Sequence, residues 1–279
     1  MKGFVALALL SVLLIVHVGC GSNAQEKLAD ENSEQATLQF DASQSDSAAI
    51  ALAEKVALAA GGSEQLTGVQ QLSFQFKIKA DSGVVSAWRH DWDRSGQRYR
   101  LSGALTSGEQ VLVFLNLDTQ DGQAFINGNP APEDELQALL AMAYSRFTSD
   151  TYWLLFPFKL KDAGARLEYH GVKQIEATTY EVLHLSFIDD VGLTPENEFE
   201  IFIDPATHEI RRWEYFENPE AEPRIAWWDN WQSFGRLKFA TQRRLAESDR
   251  VIVFEEIVAA PQVEDAIFTA PSLTQAGMK

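Results

Sequence analysis

The chain has 279 residues, 46% of them hydrophobic and 11% aromatic, with a formal net charge of −17. That is apolar mass for one large core or two small ones, and the sign of the charge repels phosphate backbones and anionic headgroups, which excludes nucleic acid as a partner class. Cys20 stands alone, so an intramolecular disulfide and any multi-cysteine metal centre are excluded as well.

The N-terminus starts Met1-Lys2 and runs into an apolar stretch from Gly3 to Val16, a signal-peptide core. Elsewhere no apolar run is long enough to predict a membrane-crossing helix. The next residues, His17-Val18-Gly19-Cys20, resemble a bacterial lipobox. That resemblance implies a signal peptide over residues 1–19 and Cys20 as the lipidated mature N-terminus. It also implies anchoring to the membrane through that lipid. With Gly21 rather than Asp after the cysteine, the expected location is the outer membrane, facing the periplasm. Two alternatives stay open: cleavage at Ser22-Asn23-Ala24, which gives a soluble periplasmic protein, and an uncleaved anchor. Residues 20–45 are rich in Ser, Gln, Ala, Asp and Glu and carry one aromatic, Phe40, so they are expected to form a flexible tether.

From Asp46 to Ala60, the residues Ile50, Ala53, Val56, Ala57 and Ala60 share a helical face that Gly61-Gly62 ends. The period then becomes two. Leu72, Phe74, Phe76 and Ile78 alternate with polar residues, which predicts a half-buried strand. Further strands are predicted at 84–93, 97–102, 110–117 and 123–126, separated by Ser-Gly and Asp-Gly turns. Between Pro130 and Pro157 the helical period returns: Leu136, Leu139, Leu140, Ala143, Tyr144 and Phe147 lie on one face. Ser149 or Asp150 is placed to cap a second, short segment, Tyr152-Trp153-Leu154-Leu155-Phe156, that is apolar all round and that Pro157 is expected to stop. Strands follow at 166–172, 179–188, 198–204, 209–216, 224–231, 236–244 and 250–258, with Asp204-Pro205-Ala206-Thr207-His208 as a turn. No linker composition interrupts the body, so residues 46–279 are expected to form a single domain.

Motifs of catalysis are missing. Gly-x-Ser-x-Gly, a P-loop and G-x-G-x-x-G are absent, and His90, His170, His184 and His208 have no paired spacing, so the expectation is no metal, no cofactor and no enzyme. Asp91-Trp92-Asp93 puts two carboxylates on one strand face, as solvated edges do, and Asp189-Asp190 reads as a strand-end turn. The aromatics say more: Trp213, Tyr215, Phe216, Trp227, Trp228 and Trp231 put rings on both faces of neighbouring strands, and the strand of Val111, Val113, Leu115 and Leu117 also carries Leu112 and Phe114. A strand apolar on both faces must be covered on both.

Helix, strands, helical insertion and more strands, closing with Val263-Glu-Asp-Ala-Ile-Phe268, form an order that resembles the LolA/LolB-type lipoprotein-carrier group. The stretches that carry the likeness are Ala59-Ala60-Gly61-Gly62, Asp150-Thr-Tyr-Trp153-Leu154, Pro157-Phe-Lys-Leu160, Asp162-Ala-Gly164, Gly192-Leu-Thr-Pro195 and Ile203-Asp204-Pro205-Ala-Thr207. The resemblance implies an α+β fold, mostly β: a large curved antiparallel sheet, or half-open β-barrel, with helices closing its concave face. It implies a hydrophobic ligand, a lipid or acyl chain, in that concavity. Phe74, Phe76, Phe114, Tyr152, Trp153, Phe156, Trp213 and Tyr215 are the candidate ligand-binding residues. The alternative is an interaction or sensing module that meets another envelope protein, and a hydrolase is the third reading.

Overall fold

The computed structural model describes residues 39–188 and 195–271; the leader, Cys20, most of the tether and Asp189-Asp190 lie outside the described residues. Alternating stretches become strands β1 (Gln71–Ala80), β2 (Gly83–Asp93), β3 (Arg98–Ala104), β4 (Gln110–Asn116), β5 (Gly122–Ile126) and a two-residue β6 (Asn129–Pro130). After the central helix come β7 (Ala165–Ile175), β8 (Thr178–Phe187), β9 (Glu198–Ile203), β10 (Ile210–Phe216), β11 (Arg224–Phe234), β12 (Leu237–Leu245) and β13 (Val251–Ala260). Among the described residues these make one antiparallel sheet, curved and not closed, in the order β6-β5-β4-β3-β2-β1-β13-β12-β11-β10-β9-β8-β7. The architecture expected from the sequence is the one the chain adopts.

The order has a simple origin. Two meanders, β1–β6 and β7–β13, join side by side where β1 pairs with β13, Gln71 opposite Ala260 and Lys79 opposite Val251. This leaves β6 and β7 as the edges and makes helix α3 (Glu133–Lys159) the connection from one edge to the other. Its 27 residues measure about 40 Å, while thirteen strands laid flat span about 58 Å. Such a connection favours a curled sheet, and α3 packs on β4 and β5 of one meander and on β12 of the other. Irregular pairing at Ser73/Gln75, Ile78/Lys79, Tyr169/Val172 and Ile210/Arg212 supplies bends along the strands.

Helix α1 (Ser47–Ala59) buries Ala49, Leu52, Ala53 and Val56. The face is rotated from the expected one: Leu52 is in the core, whereas Ile50 and Ala57 are only half-buried. It ends as predicted at Gly61-Gly62, both at positive φ, where Gly61 N donates to Leu58 O and Gly62 N to Ala57 O. Gly61 lies against the Arg236 carbonyl, and a side chain there would collide with that backbone. Lys238 N donates to Ala60 O beside it, so the helix end is pinned to the β11–β12 turn. A short helix, α2 (Ser63–Thr67), then leads into β1.

The expected break within the Pro130–Pro157 stretch does not occur. Helix α3 runs unbroken past Ser149 and Asp150, which lie mid-helix rather than as caps, and continues through Pro157 into its last turn. Pro157 has no N–H to give the carbonyl four residues back. That carbonyl, Trp153 O, instead accepts from Arg243 Nη2 at 2.9 Å. Sequence shows the missing donor, which predicts a stop, but not the side chain from β12 that replaces it.

Candidate functional site

The concave face is lined by β-strand residues of one parity and covered by α3. Leu154, Leu155 and Phe156 are buried, with Phe156 fully so. Phe156 meets Trp213 at 4.9 Å between ring centroids, Tyr152 at 5.3 Å, Phe199 at 5.5 Å and Trp228 at 5.6 Å. Trp153 lies 4.1 Å from Trp213, and Tyr215 extends the patch through Phe199 at 5.3 Å. Its centre is buried, while Tyr152, Trp153, Phe187 and Tyr215 form a half-buried rim. At that rim the Tyr152 hydroxyl is buried and makes no hydrogen bond within the protein. Burial first, and then the Asp162 carboxylate, push its phenol well up. The Lys159 ammonium sits 5.8 Å above its ring and also 2.7 Å from Asp162.

Beneath the helix lies Arg243, fully buried. Its guanidinium stacks 3.5 Å over Trp228 and 5.3 Å from Phe254. It donates to the carbonyls of Ala240 at 2.7 Å, Gln242 at 3.2 Å and Trp153 at 2.9 Å. Burial holds its pKa well below the usual guanidinium value, with the Asp229 charge opposing that shift. The arrangement is a cation held by carbonyl dipoles and rings.

Further along α3, a polar line crosses from sheet to helix. His90 Nδ1 shares a hydrogen bond with the Tyr99 hydroxyl at 2.7 Å, and His90 Nε2 lies 3.3 Å from Asp150 Oδ2. Phe74 stacks on the imidazole at 4.5 Å, Ser149 Oγ donates to Asp150 Oδ1 at 2.9 Å, and Arg146 Nη1 reaches Asp150 Oδ2 at 3.4 Å. Burial, aided by the Asp150 charge, raises the Tyr99 phenol well above its ordinary value. His90 is fully buried, so the line fixes the register of α3 on β2 and β3. No motif announced it, because its members come from two strands and a distant helix.

The candidate residues thus divide. Tyr152, Trp153, Phe156, Trp213 and Tyr215 meet in the aromatic patch, while Phe74 and Phe76 lie in a neighbouring core cluster with Phe254 and Phe239. Phe114 lies apart. It occupies the outer face, edge-on to Phe125 at 6.3 Å, and lines a concavity of about 270 Å³ with Phe268 and Ala270. The far wall of that concavity is the C-terminal segment around the 3₁₀ turn Asp265–Phe268, which packs on β3 and is held by Arg98 donating to Asp265 at 2.6 Å and lying 5.0 Å over Phe268. Trp227 has another kind of cover: Arg212 and Arg244 stack on it from 5.0 and 5.9 Å. Asn230, at φ 55°, interrupts the alternation and returns Trp231 to the core side beside Trp228.

Asp91 and Asp93 are not the solvated edge that the sequence suggested. β2 is an interior strand, and both carboxylates are buried at 2% and 1% exposure. Asp91 meets Arg89 and Arg100 at 3.1 and 2.8 Å. Asp93 accepts from Ser95 N, Ser95 Oγ, Gly96 N and Arg98 Nε. Burial pushes the Asp93 carboxyl up, but those hydrogen bonds and the Arg98 charge outweigh it and hold it below the ordinary range. Asp93→Asn should therefore cost about 1–3 kcal/mol at neutral pH. A depressed carboxyl contributes stability above its unfolded pKa of about 3.9 and loses it as pH falls through the folded value. The gap between wild type and variant should accordingly close below about pH 4, measured by urea unfolding at several pH values.

The histidines are not all isolated. Sheet pairing gathers His170, His184 and Glu200 on the outer face of β7, β8 and β9. Glu200 pulls the His184 imidazole upward, against its burial. Burial raises the Glu200 carboxyl, but His184, Lys173 and His170 outweigh it and bring it down to about 2.

No family model and no curated protein matches the chain. Among solved structures it is similar to a DUF1329 family protein from Desulfovibrio piger, at 12% identity and a TM-score of 0.48 over 79% of this chain and 97% of that one. It is also similar to a LolA superfamily protein from Nitrosomonas europaea, at 12% identity and a TM-score of 0.42 over 75% and 97%. A third similar structure is the lipoprotein LppX of Mycobacterium tuberculosis, at 9% identity and a TM-score of 0.30 over 74% and 94%.

Proposed function

We propose that this protein is an envelope lipoprotein, anchored through Cys20, that holds a lipid or acyl chain against the aromatic patch beneath α3. The observation that carries the reading is the patch itself: a buried centre at Phe156, Trp213 and Trp228 that passes into a half-buried aromatic rim at Tyr152, Trp153, Phe187 and Tyr215. Rings at such a rim are surface that an apolar chain can cover. Each buried methylene contributes about 0.8 kcal/mol, so a chain of roughly 15 offers about 12 kcal/mol before the entropic cost of binding. Few polar anchors are then needed. The Tyr152 hydroxyl is unpaired within the protein but buried, so a carboxyl or ester reaches it only if the Tyr152 ring turns toward the rim.

The test is mass spectrometry of the organic extract from membrane-purified protein, joined to titration with a fluorescent fatty acid. Lipid should co-purify. Trp153→Ala should weaken probe binding about tenfold or more while costing less than the 3–5 kcal/mol typical of a fully buried tryptophan. Cys20→Ala should abolish lipidation, leaving an unprocessed or soluble product of changed mass, with probe binding intact. An extract free of lipid together with a wild type that ignores the probe overturns the ligand reading. A reproducible protein partner in that case moves the function to an interaction module, for which the exposed Val84 and Val85 at the β1–β2 hairpin tip offer an apolar contact.

A further inference from the structure

The outer face at the β7 end of the sheet carries a second constellation, unconnected with the aromatic patch. In the ladder, His184 of β8 pairs with Glu168 of β7 on one side and with Glu200 of β9 on the other. Leu183, Leu185, Phe199 and Ile201 point to the core, so His184 and Glu200 point outward. The pairing of β7 slips between Tyr169 and Val172, where Gly171 sits at φ 76°, and His170 is set beside His184 instead of two places along. The two imidazoles stack at 4.9 Å with 9° between their planes.

Three donor atoms lie close together there. Glu200 Oε1 lies 2.5 Å from His170 Nδ1 and 3.5 Å from His184 Nδ1, and one ligand atom from each residue falls within 4.8 Å of the others. His184 Nδ1 is buried and makes no hydrogen bond within the protein. The opposite nitrogens each face a further carboxylate: His170 Nε2 is 3.6 Å from Glu168 and His184 Nε2 is 3.7 Å from Glu198. Lys173 Nζ holds the second oxygen of Glu200 at 2.6 Å, leaving Oε1 to act alone.

We propose that His170, His184 and Glu200 form a binding site for a divalent metal of the zinc class, with Glu168 and Glu198 orienting the two imidazoles. Two imidazole nitrogens and one carboxylate oxygen are a recurrent zinc donor set that leaves a coordination position open. A carboxylate on the far nitrogen of a ligating histidine fixes its tautomer and raises its basicity, and here both histidines have one. Tetrahedral bonds of about 2.0–2.1 Å put donors roughly 3.3 Å apart. His170 and Glu200 therefore need to part by less than about 1 Å, and the His170 ring must turn out of its parallel stack on His184 so that both nitrogens aim at one point, a rotation open to its partly exposed side chain. The competing arrangement is an imidazolium paired with the glutamates, and it needs no metal.

The experiment uses the full chain without an affinity tag and with Cys20→Ser, so that no thiol competes, stripped by chelator and dialysed against zinc. One equivalent should be retained. His170→Gln, His184→Gln and Glu200→Gln should each weaken binding about 100-fold, and Glu198→Gln about tenfold, in the range set by ligand and outer-partner losses. His208→Gln, in the β9–β10 turn, should leave it unchanged. Cobalt in place of zinc should give visible absorption bands that vanish in His184→Gln. Should that variant fail to fold, His170→Gln at the more exposed position carries the same comparison. Absence of stoichiometric zinc at about 100 µM, or retention in the His170→Gln/His184→Gln pair, overturns the proposal.

Discussion

Arg243→Ala should destabilise the protein by about 3–5 kcal/mol, read from urea or thermal unfolding. The loss has three parts: the ring contacts with Trp228 and Phe254, the volume of a fully buried side chain, and the donor to Trp153 O. The last is decisive for direction, because Pro157 leaves that carbonyl without an intrahelical donor and the helix covers it from water. Arg243→Met keeps most of the volume and removes the cost of burying a charge, so its loss should be smaller, about 1–2 kcal/mol. A double-mutant cycle with Pro157→Ala separates the terms. Alanine restores an N–H for Trp153 O, so removing the guanidinium should cost less in that background. Equal costs in both backgrounds would show that the arginine acts through packing on Trp228 and not through the helix.

Arg243 and Pro157 also show where sequence reading reaches its limit. Strands such as Leu72–Ile78 and the Val111–Leu117 run were legible because alternation reports which neighbours a residue faces along its own strand. So was the end of α1, since Gly61-Gly62 marks a backbone conformation set by local sterics. The Pro157 stop was a sound local inference that a distant side chain overrode. The same limit applies to Asp91 and Asp93: nothing in their own stretch reveals Arg100 and Arg98 on the next strand.

The site was legible by composition and illegible by partner. Tyr152, Trp153 and Phe156 stood out as a segment with no polar face, and the structure sets them against Trp213 as one patch. Phe114 had the same apolar character, but only the register of β4 against β5 shows that it faces outward with Phe125. His170 and Glu200 lie thirty residues apart and meet through two ladders and a bulge. Spacing along one chain carries no trace of such a meeting, which is why the histidines looked isolated.

Phe156→Ala should cost about 3–5 kcal/mol, at the upper end of what a single core truncation removes. The ring is fully buried and touches four others, with Trp213 nearly perpendicular at 89° and Tyr152 at 65°. Edge-to-face pairs of this kind add about 0.5–1.5 kcal/mol beyond area alone. Relaxation cannot recover much, because Trp213 and Trp228 are fixed by the sheet, 5.3 Å apart, and α3 is held in the two turns before Phe156 by His90–Asp150 and Arg243–Trp153. A cavity should therefore remain in the middle of the patch. Under the ligand reading this variant has a second consequence: an apolar void open to the acyl-chain rim should retain probe binding, or strengthen it, even as the unfolding midpoint falls. Trp153→Ala should do the reverse, sparing stability and weakening the probe. Parallel losses of stability and binding in both variants would make the patch a single rigid core with no ligand-facing side.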